Sequence, residues 1–283
     1  MKYVVAFLYF LNLFDAAHAQ LVNDEASFFN GKYDKSQIVS KQIENVKISM
    51  SAANELYSIQ TFYFDVKGLL TRQTIADSSG RINAEFRFKY NSYDDLIQRI
   101  QRDYTLNSLD TVIFTKFYWD SLLIKETSNQ PPLTNEYFYD SAKNRVKSVA
   151  SLVSNNSFVY KYALLNAFDS LGRIIQIKRV SFANELDSIG TIVSNRKLSY
   201  GANGKIAIDF ESINNGDSYI SNNGTKSYRY NKNESLVEVI DTKGTRTKYK
   251  YNNEELITTK ELILNIQDSK TVVIDNYTYS FRK

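Results

Sequence analysis

Eight times along the chain an aromatic residue is followed by a short polar turn and then by an aliphatic run, and a ninth aromatic anchor falls at the same spacing near the end. The anchors are Phe64 (FDVKGLL), Tyr90 (YNSYDDLI), Tyr118 (YWDSLLI), Tyr139 (YDSAKNRV), Phe168 (FDSLGRII), Tyr200 (YGANGKIAI), Tyr230 (YNKNESLV), Tyr251 (YNNEELI) and Tyr279 near the end. Successive anchors lie 26, 28, 21, 29, 32, 30, 21 and 28 residues apart. That spacing is too short for a strand–helix–strand unit and accommodates two strands with two turns.

Local patterning agrees. Ile82, Ala84, Phe86, Phe88 and Tyr90 alternate with Asn83, Glu85, Arg87 and Lys89, and Ile206, Ile208 and Phe210 alternate with Lys205, Ala207 and Asp209. Period two places one set on a core face and the other in solvent. Asp77-Ser-Ser-Gly80, Asp169-Ser-Leu-Gly172, Ala202-Asn-Gly204 and Asp241-Thr-Lys-Gly244 punctuate the runs. Gly and Asn there supply positive φ, and Asp bonds its own turn backbone. Leu96-Ile97, Val112-Ile113-Phe114 and Ile174-Ile175 are apolar on both faces and predict strands where the sheet folds over itself. Pro131-Pro132 are the only prolines and mark one longer loop. The pattern predicts an all-β fold, a long antiparallel meander of about 16–18 strands built from tandem hairpin repeats. Twist would curl so wide a sheet into a superhelical roll, an open barrel or a sandwich.

The N-terminus reads as a secretory signal. Lys2 precedes an apolar run from Tyr3 to Phe14, and Ala17-His18-Ala19 fits an A-x-A cleavage site. The expected organisation is a signal peptide over 1–19, an N-terminal arm over 20–40 and a single repeat domain over 41–283. Twelve apolar residues fall short of the roughly 20 a spanning helix needs, and no later stretch comes closer. The expected location is outside the cytoplasm of a bacterium: periplasmic, at the cell surface or extracellular. Absence of Cys rules out a lipidated-cysteine anchor and disulfides, so stability must come from the core.

Composition also narrows the chemistry. His18 is the only histidine and lies within the signal, so the mature chain has neither His nor Cys. A His/Cys zinc site, a thiol nucleophile, a Ser-His-Asp triad and an imidazole base are thereby excluded. No cofactor is implied.

ADSSGRINAEFRFKYNSYDDLIQRI (76–100), DTKGTRTKYKYNNEELI (241–257) and FDSLGRII (168–175) resemble the YD repeat of bacterial RHS proteins. The shared features are a D-x-x-G-R/T turn, an alternating Thr/aromatic strand and a Y-D or Y-N step. Phe64 and Phe168 stand where the repeat has tyrosine, and Asn often replaces Asp. The resemblance covers about 60–283 and implies exported β-meander sheets with no catalysis in the repeats. Large RHS proteins wrap such sheets around a C-terminal toxin. Here the last strand runs to Lys283 without a D-P-x-G motif, so no toxin domain is expected.

Few side chains stand out as candidates for function. Asp94-Asp95 and Glu254-Glu255 have the composition of paired glycosidase acids, but both pairs occupy the repeat's turn position, where adjacent residues point apart. No D-x-[DN]-x-[DN]-G calcium loop occurs, so no metal site is assigned. Lys243, Arg246, Lys248 and Lys250, with Lys226 and Arg229, are the densest basic region, interleaved with Tyr228, Tyr230, Tyr249 and Tyr251. Over 246–251 rings and charges fall on opposite faces, so they cannot act together on a nucleic acid strand. Tyr118 and Trp119, the sole tryptophan, are the candidate ligand-stacking pair; the nine anchors themselves read as structural. N-x-S/T sequons occur at Asn155, Asn223, Asn233 and Asn276 and matter only in a eukaryotic secretory route.

The chain is thus expected to be a non-catalytic exported β-repeat protein, binding a cell-surface glycan or an envelope protein or serving a structural role. One alternative is a carboxylate-dependent glycan-active enzyme on a β scaffold. Another is an outer-membrane β-barrel, whose ten-residue alternating segments would look similar; abundant charges and short turns at both ends count against it.

Overall fold

The computed structural model describes residues 35–282 apart from 53–54, 130–131, 155–156, 185–186, 188, 214–223 and 267–268. The signal peptide with its cleavage site and His18, the arm before Lys35, Pro131 and the sequons at Asn155 and Asn223 lie outside the described residues.

One short helix, α1 (Lys35–Ser40), precedes eighteen strands. These are β1 (Ile43–Ala52), β2 (Glu55–Phe64), β3 (Leu70–Asp77), β4 (Ile82–Tyr90), β5 (Leu96–Asp103), β6 (Ser108–Trp119), β7 (Leu122–Ser128), β8 (Leu133–Tyr139) and β9 (Arg145–Ser154). The second half holds β10 (Ser157–Phe168), β11 (Ile174–Phe182), β12 (Thr191–Tyr200), β13 (Ile206–Ile213), β14 (Gly224–Tyr230), β15 (Leu236–Asp241), β16 (Arg246–Tyr251), β17 (Ile257–Ile266) and β18 (Ser269–Phe281). Each strand pairs antiparallel with its neighbours in sequence, and β1 also pairs with β18, so the sheet closes into a barrel. Of the three shapes a sheet this wide could take, it adopts the barrel, and it leaves no outer edge: Val46 sits opposite both Phe62 and Tyr279. Arg282 reinforces the join, bonding the Phe64 carbonyl at 2.6 Å and that of Asp65 through its guanidinium and the Gln42 carbonyl through its main-chain N–H.

Strict alternation separates two faces. Val46, Phe62, Phe86, Val112, Tyr137, Ala150, Tyr162 and Tyr249 are buried, whereas Lys47, Arg87, Ile113, Lys197, Arg229 and Lys248 on the intervening positions are exposed or nearly so. The face carrying Val46, Tyr162 and Tyr249 is the concave, lumen-facing one; on the outer face of β9–β11, Val149, Ala163 and Val180 form a separate buried cluster with Leu165 and Phe182 packed against it. Eighteen strands enclose more width than side chains can fill. The best-packed cluster sits at one mouth. There Ile38 of α1 is 1% exposed against Ile43, Val46, Phe64 and Leu256, while Lys35 and Lys67 both pair with Asp94 at 3.1 and 3.0 Å.

That mouth carries the anchor turns. Asp or Asn at the first turn position accepts the N–H groups two and four residues on: Asp65 from Lys67 and Leu69, Asp169 from Leu171 and Arg173, Asn252 from Glu254 and Leu256. The fourth turn position has positive φ, supplied by Gly68, Gly172 and Gly204 but also by Asp94, Lys143, Glu234 and Glu255 at φ of 63–64°. Connections at the opposite mouth are less uniform. Residues 183–190 and 214–223 separate β11 from β12 and β13 from β14. The expectation of short turns at both ends therefore fails at this mouth, and the prolines do not mark the longest loop. These insertions fall in the two longest anchor intervals, the 32 residues from Phe168 to Tyr200 and the 30 from Tyr200 to Tyr230.

A seam in the wall between β5 and β6

Most anchors share one bond. The hydroxyl of each tyrosine reaches back to the carbonyl of the first strand residue after the preceding anchor turn. Tyr90 bonds Leu70 at 2.8 Å, Tyr200 bonds Ile174 at 2.7 Å, Tyr230 bonds Ile206 at 3.0 Å, Tyr251 bonds Leu236 at 2.7 Å and Tyr279 bonds Ile257 at 2.7 Å. Tyr139 does the same to Leu123, the second residue of β7, at 2.8 Å. Phe168 has no hydroxyl; Asn166, two residues earlier, fills the role by donating its amide to the Arg145 carbonyl at 2.9 Å. Phe64 is buried in the cluster under α1. Burial pushes the Tyr90 and Tyr230 hydroxyl pKa values upward, so both remain donors at neutral pH.

Tyr118 departs from the pattern in three ways. Its turn shrinks to Asp120 and Ser121, both with positive φ, in place of the five-residue loop. Its hydroxyl donates to the Asp95 carboxylate rather than to a carbonyl. And the β5–β6 ladder ends at the Gln98–Ile113 pair, so Leu96 and Ile97 do not continue it along the last part of β6. The result is a seam in the wall, with a cavity of about 440 Å³. Ile97, Phe114, Lys116 and Tyr118 line it from the lumen side of the alternation, Gln98 and Thr115 from the outer side.

Charge is concentrated on the lumen side of this seam. Lys116, 10% exposed, lies 2.8 Å from Glu126 and 3.8 Å from Asp95. Asn135 donates to Glu126 at 3.4 Å, yet its own Oδ1 has no protein partner, nor does the buried Nε of Arg99 on β5. These orphan groups face the lumen, where water or a ligand must satisfy them. Burial lowers the Arg99 pKa. Burial of the hydroxyl end and its bond to Asp95 raise that of Tyr118, although the ring reaches the rim and is 40% exposed. Tyr93, 80% exposed, stands with its ring centroid 6.2 Å from that of Tyr118; Trp119, the next residue along β6, is 77% exposed.

The structure thus places Tyr118 at the seam together with Tyr93, Asp95 and Lys116, of which Tyr93 and Lys116 did not stand out in the sequence, whereas Trp119, the next position along β6, falls on the opposite face of the alternation. The adjacent acids do diverge: Asp94 pairs with Lys35 and Lys67 while Asp95 turns to Tyr118. Glu254 and Glu255 are exposed on their turn. In the basic region Tyr228 and Tyr249 face the lumen and Lys248 and Lys250 face out, with Lys250 paired to Glu261 at 2.6 Å. Among the described residues no group of His, Asp and Glu is placed to hold a metal, and no helix is long and apolar enough to cross a membrane.

No family model and no curated protein matches the chain. Among solved structures it is similar to a porin-like protein from Bacteroides uniformis, at 10% identity and a TM-score of 0.45 over 84% of this chain and 98% of that one. It is also similar to a TcdB2-TccC3-Cdc42 structure, at 12% identity and a TM-score of 0.39, and to the Photorhabdus luminescens Tc holotoxin pore, at 12% identity and a TM-score of 0.33. The chain covers 83% and 74% of its own length in these two matches, but only 16% and 14% of the toxin chains.

Proposed function

We propose that this is an exported, non-catalytic β-barrel that binds a saccharide at the β5–β6 seam. The observation that carries the reading is local: where the repeat breaks, the exposed rings of Tyr93 and Tyr118 stand 6.2 Å apart at a cavity that Tyr118 and Lys116 line. Sugars offer C–H faces for stacking and hydroxyls that satisfy both orphan donors and orphan acceptors. Lys116 lies 3.8 Å from Asp95 and 2.8 Å from Glu126, so both carboxylates are engaged in ion pairs within the wall. A glycan-array and pull-down screen with residues 20–283 tests the reading. Binding lost in Tyr93→Ala and Tyr118→Ala, with the fold retained, supports it; binding unchanged in both, or turnover of a bound glycoside, overturns it.

A second reading has its own support. On architecture alone, a closed 18-stranded barrel fits an outer-membrane barrel at least as well as a soluble one. One mouth has uniform short turns, the other has longer connections, and β1 and β18 bring both described chain ends to the short-turn mouth, as in such barrels. Its difficulty is the outward face, where Lys47, Arg87, Lys89, Lys178, Lys197, Lys248 and Lys250 would meet lipid. An Arg or Lys at the bilayer midplane costs about 2–4 kcal/mol. Solubility of residues 20–283 without detergent separates the two.

A further inference from the structure

On the outward strand positions of the wall from β9 to β13 every charge is positive; Asp187, an acid of the β11–β12 connection, interacts with Lys161. Register puts Lys147, Lys161, Lys178 and Lys197 on the wall's outward positions, and none of the outward positions on these five strands is Asp or Glu. One cross-strand row runs Phe138, Lys147, Leu165, Lys178, Asn195, Ser212. Lys147 and Lys178 are two strands apart in it, about 9–10 Å. Lys197 lies diagonally beside Lys178, at about 7–8 Å. Among the described residues none of these three is ion-paired, in contrast to Arg196 and Lys260, which face the lumen and pair with Asp209 and Asp275 at 2.8 and 3.5 Å.

Apolar side chains are set between these lysines. Phe210 lies directly opposite Lys197 and is 36% exposed; Ile208 and Ile192 are each 47% exposed, and Phe138, 46% exposed, has the Lys147 ammonium 5.4 Å from its ring centroid. A highly charged soluble polymer would be held by the lysines alone. Lysines alternating with exposed Ile and Phe on one wall match an interface in which phosphates lie beside acyl chains.

We propose that this wall docks on an anionic phospholipid surface, the lysines meeting headgroup phosphates and Phe210 and Ile208 entering the interface. The barrel lies on the membrane without spanning it, and the seam, separated from the wall's nearer edge by β6, β7 and β8, stays uncovered. The proposal stands on the β9–β13 wall and does not depend on what the seam binds.

Sedimentation with vesicles of phosphatidylglycerol and phosphatidylcholine, against phosphatidylcholine alone, tests it on residues 20–283. Binding is expected only to the anionic vesicles and is released as salt rises. Lys147→Glu, Lys178→Glu and Lys197→Glu together should weaken it by roughly a hundredfold. Lys47→Glu, Lys89→Glu and Lys248→Glu, the same change in net charge on other strands, should leave it within about threefold. Phe210→Ser, which keeps every charge, should weaken binding while the far-UV spectrum stays that of the parent. Equal binding to neutral vesicles, equal loss in the two triple variants, or retention of an anionic polysaccharide but of no vesicle would overturn it.

Discussion

The Tyr118 hydroxyl donates to the carboxylate of Asp95, whereas six other anchor tyrosines donate to main-chain carbonyls. A carbonyl bond fixes a hairpin to its neighbour; a carboxylate bond bridges an opening where no ladder exists. Tyr118→Phe should therefore change ligand binding more than stability. Tyr230→Phe, which strands the Ile206 carbonyl, should cost about 1 kcal/mol in denaturant melts. Equal effects on stability would remove the distinction.

Asn166 stands in for the hydroxyl that Phe168 lacks. Asn166→Ala leaves the Arg145 carbonyl unpaired and should destabilise by about 1 kcal/mol. Adding Phe168→Tyr in that background should recover most of the loss, because the new hydroxyl takes the route used by the other anchors. A double variant no more stable than Asn166→Ala would show that the Phe168 ring is held differently.

Glu255 occupies a turn position with φ of 63° that Gly fills in other copies. An L side chain there costs about 1–2 kcal/mol, partly offset by the greater unfolded-state freedom of Gly. Glu255→Gly should raise the melting midpoint, with a net gain of about 0.5 kcal/mol; an unchanged or lower midpoint would refute the strain.

Main-chain N–H bonds, that of Arg173 foremost, hold the Asp169 carboxyl below its ordinary pKa; Asp140 and Asp187 are held down in the same way, and Asp77 chiefly by the Ser79 hydroxyl. A carboxyl whose folded pKa is depressed adds stability above its unfolded value near 4 and loses it as pH falls through the folded one. Melting midpoints should thus hold steady from pH 7 to about 5 and fall below about 4. Asp169→Asn keeps the turn acceptor, as Asn231 and Asn252 do, so it should match the parent at pH 7 and lose less in acid. The same acid loss in both would exclude the turn carboxylates as the cause.

The strands were legible because alternation and turn residues are local. Ile82 to Tyr90, the Asp77 and Asp169 turns and the anchor positions all follow from a few adjacent side chains. Closure was not, since nothing near Val46 marks Tyr279 as its partner. The seam was legible only at Tyr118. Its remaining residues are ordinary strand positions, made special by a ladder that stops at Gln98 and Ile113, and a missing pairing leaves no trace in residue type. The small signals were the short Asp120-Ser121 turn and Lys116 on a lumen-facing position.

The β1–β18 ladder joins residues such as Val46 and Tyr279 that are separated by nearly the whole described chain, while every other ladder joins strands consecutive in sequence. Hairpins form in about 1–10 μs, so the meander can assemble from local events until a single remote encounter is left. The entropy of that encounter grows only as the logarithm of chain length, so it weighs more on folding rate than on final stability. Until it happens, β1 and β18 are bare edges able to recruit strands from another chain. The crowding of Ile38, Ile43, Val46 and Phe64 at this join makes it the natural place for a late kinetic checkpoint, and refolding yield should fall with protein concentration more steeply when Ile38 or Arg282 is truncated.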